Sequence, residues 1–130
     1  RNPNSGDATN TVTEDKPTTK KKIDKKPFSN DKDFMGITIS DLYANRDKYA
    51  NKKVRIRGRI TKFNPSIMSR NWVHIQDGTD NNGNYDLTVT TQETVNIDEL
   101  VTFEGKIALD KDFGAGYFYP VIMEDAIIIK

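Results

Sequence analysis

Residues 54–63 read VRIRGRITKF, and this stretch decides the class of fold. Val54, Ile56 and Ile60 alternate with arginines, and a period of two predicts a β-strand with an apolar inner face and a charged outer face. Gly58 stands in the apolar row, which indicates a bend where the strand curves tightly to close a small sheet. The sequence therefore predicts a long, bent first strand.

Four further segments have strand patterns, and turn residues separate them. They are WVHIQD (72–77), YDLTVTT (85–91), LVTFEGKIAL (100–109) and YFYPVIMEDAIIIK (117–130). Pro120 cannot donate to a sheet ladder, so it must lie at an edge or a break of the last strand. Five strands predict an all-β domain, a small antiparallel Greek-key barrel. The long first strand favours a five-stranded oligonucleotide/oligosaccharide-binding (OB) barrel over an SH3-like barrel, which is the alternative.

A polar segment precedes this domain, and a helix begins it. Residues 1–33 are polar and lysine-rich, which predicts a flexible tether, with a basic arm for phosphates as the alternative for KKKIDKK. The barrel domain then spans 34–130 and begins with a helix at about 39–50. Thr38 and Asp41 have the spacing of a capping box before an apolar stripe, namely Ile39, Leu42, Tyr43, Tyr49 and Ala50.

Composition excludes several classes of chemistry. The chain has no cysteine, so disulfides, thiolate catalysis and cysteine zinc sites are excluded. No nucleophile with a base, phosphate loop or metal cluster has usable spacing, so no catalytic residue, metal or cofactor is predicted. In DNNGNYD (80–86), the acidic and amide residues alternate as in a calcium loop, but the glycine position favours an Asn-Gly turn.

Charge is unevenly distributed along the domain. The totals are 20 Lys and Arg against 19 Asp and Glu, yet residues 46–70 carry nine basic side chains and only Asp47 as an acidic one. If Val73 and Ile75 point inward, strand alternation predicts that Trp72, His74 and Gln76 face solvent, with Asp86, Thr88 and Thr90 on the next strand.

An indole beside a row of guanidinium groups is typical of proteins that bind single-stranded nucleic acid, because bases stack while cations follow the phosphates. Two alternatives stay open. In one, Trp72 packs under the loop 64–70 and against Met68; in the other, the arginines form a solvated face with partners such as Glu104. The loop containing GAG (114–116) is expected to place Phe113 and Tyr117 over the same face. The predicted nucleic-acid contacts are Arg55, Arg57, Arg59, Lys62, Trp72, His74, Gln76, Thr88, Phe113 and Tyr117.

The stretches KKVRIRGRI, NWVHIQDGTDNNGNYDLTV and LDKDFGAGYFYPVIMEDA carry a resemblance to known proteins. They resemble the OB nucleic-acid-binding domain of the tRNA-anticodon type and bacterial exported OB-fold proteins, including nucleic-acid-binding lipoproteins. The resemblance places Trp72 at the stacking aromatic and Asp77 at the turn aspartate. Thr88 stands where that family has a base-reading glutamine, and His74 replaces an acidic residue.

The resemblance implies a non-enzymatic module for single-stranded nucleic acid or another polyanion. The alternative is an envelope-tethered module whose barrel binds a protein or a glycan. An extracytoplasmic address is expected, with a lipid anchor upstream of residue 1 and no transmembrane segment in this chain. The oligomeric state, and the identity of the ligand, do not follow from the sequence.

Overall fold

A computed structural model describes residues 36–129, which form a mostly β structure with two short helices. The predicted tether lies outside the described residues. The elements are α1 (Ile39–Ala44), α2 (Arg46–Tyr49), β1 (Lys53–Ile67), β2 (Arg70–Gln76), β3 (Leu87–Thr91), β4 (Leu100–Asp112) and β5 (Phe118–Ile128). All five predicted strands are confirmed, and β1 continues through residues 64–67, which the sequence pattern had assigned to a loop.

The five strands form one sheet that closes on itself in the order β1-β2-β3-β5-β4. Four of the neighbouring pairs are antiparallel, but β3 and β5 are parallel. The predicted antiparallel arrangement is therefore confirmed for four pairs and wrong for the pair of β3 with β5. The reason is geometric, because strand direction cannot alternate all the way round a ring with an odd number of members.

Strand β1 is long because it pairs with two neighbouring strands, β4 and β2. From Lys53 to Arg59 it pairs with β4, and from Arg59 to Ile67 it pairs with β2. Gly58 lies at this change of partner, where an added Cβ would come within 3.1 Å of both the Ile75 Cβ and the Gln76 carbonyl oxygen. A glycine here allows the close approach of β2 that the closing sheet needs.

The interior of the closed sheet is apolar. The predicted inward residues Ile56, Ile60, Val73 and Ile75 have no solvent exposure, and each such side chain stabilises the fold by roughly 1.5–3 kcal/mol. Ile39 and Leu42 of α1 belong to the same core, as does Phe103 from β4. Pro120 is exposed where β5 pairs with β4 alone, because pairing with β3 begins at Ile122; its predicted position at an edge is confirmed.

The predicted single helix at 39–50 is divided in two. Thr38 caps α1 as expected, because its Oγ1 accepts a hydrogen bond of 3.0 Å from the Asp41 N–H. Asn45 then interrupts the helix: its Nδ2 donates to the Asp41 carbonyl at 3.2 Å and to Asp41 Oδ1 at 2.7 Å. An asparagine that bonds locally in this way competes with the helical backbone. Neither helix within residues 36–129 has the length and hydropathy to cross a membrane.

Candidate functional site

The outer face of β1 and β4 carries a cationic band. We define it as Lys53, Arg55, Arg57 and Arg59 of β1 with Lys106 of β4. Residues directly opposite in an antiparallel pair share a face. Lys53 pairs with Lys106, Arg55 with Glu104, and Arg57 with Thr102. Five cations therefore share this face with the carboxylates of Glu104 and of Glu124, which lies opposite Lys106 on β5.

Each arginine of the band is held by a neighbour. Arg55 Nε donates to Glu104 Oε1 at 2.8 Å, which confirms the ion pair that the sequence offered as an alternative. Arg57 Nε donates to Thr102 Oγ1 at 3.2 Å, and an Arg59 Nη1 hydrogen bond of 2.7 Å reaches the carbonyl of Asp98. These contacts position the three guanidinium groups, and at Arg55 the carboxylate of Glu104 also offsets the charge.

Trp72 is not beside this band, and it does not face solvent. Its partner on β1 is Asn64, several positions beyond Arg59, and the exposure of Trp72 is 0%. The prediction of a solvent-facing indole next to guanidinium groups was wrong on both points. At about 3.3 Å per strand residue, the register places Asn64 on the order of 16 Å along β1 from Arg59.

The indole is buried by the tip of the β4–β5 hairpin. Its ring centroid lies 5.1 Å from that of Phe113, edge to face, and 5.7 Å from that of Tyr119, nearly parallel. Tyr117 completes the contact at 6.0 Å. Phe113 and Tyr117 are predicted to lie over an open binding face, but in the structure they cover the indole and do not border an open stacking surface.

The alternative for Trp72 is confirmed in part. Trp72 Nε1 donates to the carbonyl of Ile67 at 2.8 Å, and Ile67 packs against the same aromatic cluster, so the indole does lie under the 64–70 segment. Met68, however, is 40% exposed. We call Trp72, Phe113, Tyr117 and Tyr119 the aromatic cluster, which is separate from the main core.

The remaining predicted contacts on β2 and β3 are also buried. His74 has 4% exposure and Gln76 2%, and Thr88 beside them has 4%, so the prediction that they face solvent was wrong. His74 Nδ1 lies 2.8 Å from Asp86 Oδ2, and Gln76 Nε2 donates to Asp86 Oδ1 at 3.5 Å. Buried polar side chains are stable when they are hydrogen-bonded in this way. His74, Gln76, Asp86 and Thr88 form what we call the buried polar cluster.

Tyr43 connects this cluster to α1. Its hydroxyl donates to the Asp86 carbonyl oxygen at 2.9 Å. Burial raises the pKa of Tyr43 well above its ordinary value, and the negative charge of Asp86 adds to the effect. A hydrogen bond to Asp41 Oδ2 at 2.7 Å likewise raises the pKa of Tyr49.

The ten predicted contacts thus fall into separate places. Arg55, Arg57 and Arg59 lie in the cationic band, and Lys62 lies further along β1, opposite His74. Two members of the band were missed. Lys53 continues the alternate-residue row of β1, and Lys106 occupies an outward position of β4; extending both periods of two would have found them.

The segment 80–86 forms a turn. Asn81 and Asn84 exchange backbone hydrogen bonds, and Gly83 has a φ of 92°. Asp80 Oδ1 accepts from the Gly83 N–H at 2.6 Å, as expected of an Asn-Gly turn. The preferred interpretation of this segment is confirmed. Within residues 36–129, no three His, Cys, Asp or Glu side chains are grouped so as to hold a metal ion.

Two comparisons with known proteins do not identify a family for this chain. A scan against models of protein families finds no match for the chain, and a search among curated proteins finds no significant relative.

Proposed function

We propose that the closed sheet is an OB fold and that the chain is a non-enzymatic module for single-stranded nucleic acid or another polyanion. A strand order of β1-β2-β3-β5-β4, a long first strand shared by β2 and β4, and a single parallel pair support the OB assignment. The same long first strand favours an OB fold over an SH3-like barrel.

The cationic band carries the proposal. Its five positive charges project from one face of the sheet beside the carboxylates of Glu104 and Glu124, and Glu124 is also paired with Lys111 at 3.2 Å. A cationic surface attracts phosphate groups and releases their counterions on binding, which supplies sequence-independent affinity. The aromatic cluster takes no part, because Trp72 is fully covered in the free protein. The proposed contact is therefore with the backbone of the polyanion and begins at β1 and β4.

The test is fluorescence anisotropy of a labelled single-stranded oligonucleotide with the full chain at two salt concentrations. Binding should weaken with added salt, because each phosphate contact with a single strand contributes about 0.7 to the slope of log affinity against log salt. In Arg57→Gln, the affinity should fall about two- to fivefold and the magnitude of the slope should decrease by about 0.7.

Arg46→Gln is the matched control. Arg46 is an exposed arginine of α2 outside the band, and its replacement makes the same change in net charge. Equal losses of affinity in the two variants would attribute binding to net charge alone and reject the band as the contact surface. An absence of binding at low salt would reject the proposed function.

A further inference from the structure

An apolar strip runs beside the cationic band on the same outer face. Leu100 of β4 is 45% exposed and lies opposite Arg59. Ile127 of β5 is 51% exposed and lies opposite Glu104, which is itself opposite Arg55. Half-buried Ile129 follows, with its N–H bonded to the Thr102 carbonyl at 2.9 Å. We call Leu100, Ile127 and Ile129 the apolar strip.

A groove separates the band from part of this strip. It has a volume of about 530 Å³, and Arg57, Thr102, Leu100 and Ile129 contribute to its walls. This volume lies within the range of about 300–1,000 Å³ that is typical of small-ligand sites. The face therefore offers three surfaces side by side: cations on β1, a groove at Thr102, and exposed apolar side chains on β4 and β5.

Two carboxylates at the groove decide which part of a ligand can enter it. Glu93 and Glu99 also line the groove. Glu93 Oε2 accepts from the Ile128 N–H at 3.2 Å, and Glu99 Oε1 accepts from the Asn96 N–H at 3.0 Å, so both are held in place. Carboxylates repel phosphate but accept hydrogen bonds from the amino groups of bases. Phosphates consequently belong on the band and bases in the groove.

We propose that the outer face of β1, β4 and β5 selects single-stranded nucleic acid over other polyanions. The band holds the phosphates, while the groove and the apolar strip contact the bases. A duplex stacks its bases inside and offers only phosphates to this face, and heparin has no bases. The inference rests on the proposed function and narrows its ligand to one chemical class.

The dimensions of the sheet agree with this division. Neighbouring strands lie about 4.8 Å apart, so Ile127 on β5 is about 10 Å across the sheet from the arginine row on β1. The side chains of Arg55, Arg57 and Arg59 recur every second residue, at intervals of about 6.7 Å along the strand. A single strand that follows the row can thus extend its bases across β4 toward the strip.

The test measures the affinity of three polyanions for wild type and for two variants. Affinities of the full chain for a mixed-sequence single strand, for its duplex and for heparin are measured for wild type and for Leu100→Asn and Ile127→Asn. Each variant should bind the single strand about three- to tenfold more weakly, because a base contact is lost. The affinities for duplex and heparin should change less than twofold, which also shows that the band remains folded.

Met68→Asn is the control, because Met68 is similarly exposed, at 40%, but lies in the β1–β2 hairpin. It should leave all three affinities unchanged. Equal losses for single strand and duplex in Leu100→Asn and Ile127→Asn, or no loss for the single strand, would overturn the selection while leaving polyanion binding intact. Failure of wild type to bind any of the three would instead reject the proposed function.

Discussion

Tyr43 connects the first helix to Asp86, the residue before the third strand, through one hydrogen bond. Its hydroxyl donates to the Asp86 carbonyl oxygen at 2.9 Å, and the Asp86 carboxylate lies close enough to raise the pKa of the phenol further. A phenolate at this position would be poorly solvated and next to a negative charge. The folded protein therefore holds Tyr43 neutral to a higher pH than the unfolded chain does.

This difference predicts an alkaline loss of stability that depends on one hydroxyl. Because the pKa of Tyr43 is raised in the folded state, its contribution is complete below the unfolded value of about 10 and is lost as pH rises above it. At neutral pH, Tyr43→Phe should lower the free energy of unfolding by about 1 kcal/mol through the lost hydrogen bond. The difference in the free energy of unfolding between wild type and Tyr43→Phe, measured by urea unfolding, should become smaller from about pH 9 to about pH 11. A gap that stays constant or widens would contradict the assignment.

At the residue scale, the sequence predicted which positions of β2 point to the core but not which of the others meet solvent. Val73 and Ile75 are in the core as expected. Alternation fixes only the side of the sheet, whereas exposure depends on what packs there. Trp72 is covered by Phe113 and Tyr119, which lie more than 40 residues further along the chain. No local pattern contains that contact.

At the scale of elements, the aromatic cluster joins two hairpins. Trp72 belongs to β2 and bonds to the carbonyl of Ile67 at the end of β1, while its ring partners come from β4–β5. The tip of that second hairpin has three consecutive residues with positive φ, which are Gly114, Ala115 and Gly116. This tight turn brings Phe113 and Tyr117 back toward each other, and the Phe113 N–H donates to the Tyr117 carbonyl at 2.8 Å.

The cluster predicts the fluorescence of the single tryptophan. In wild type, iodide should quench the emission weakly, because Trp72 has no exposed surface. Phe113→Ala should remove the edge-to-face contact, lower the free energy of unfolding by at least about 0.5–1.5 kcal/mol, and steepen quenching. Phe118→Ala is the control, since Phe118 is 44% exposed on the same hairpin and is not among the rings that contact Trp72. Equal quenching in Phe113→Ala and Phe118→Ala would show that Phe113 is not the side chain that shields the indole.

At the scale of the whole molecule, the sequence predicted the strands and the bent first strand, but it did not predict how the ring closes. The parallel pairing of β3 with β5 and the register of β1 against β4 join segments that are far apart in the sequence. That register determines the candidate site. It places Lys106 directly opposite Lys53, and it separates the arginine row from Trp72.

Lys106 of β4 lies between Lys53 of β1 and Glu124 of β5, so this one side chain belongs to a like-charge pair and to an opposite-charge pair. Lys106→Glu should change the free energy of unfolding by less than about 0.5 kcal/mol, because the opposite-charge pair gained with Lys53 is offset by the like-charge pair created with Glu124. The same change should weaken oligonucleotide binding more than Lys48→Glu does, a control with an equal charge change at an exposed residue of α2. Urea unfolding and anisotropy on both variants measure the two effects. If Lys106→Glu lost no more affinity than Lys48→Glu, the lysine pair would lie outside the binding surface, and the band would reduce to its three arginines.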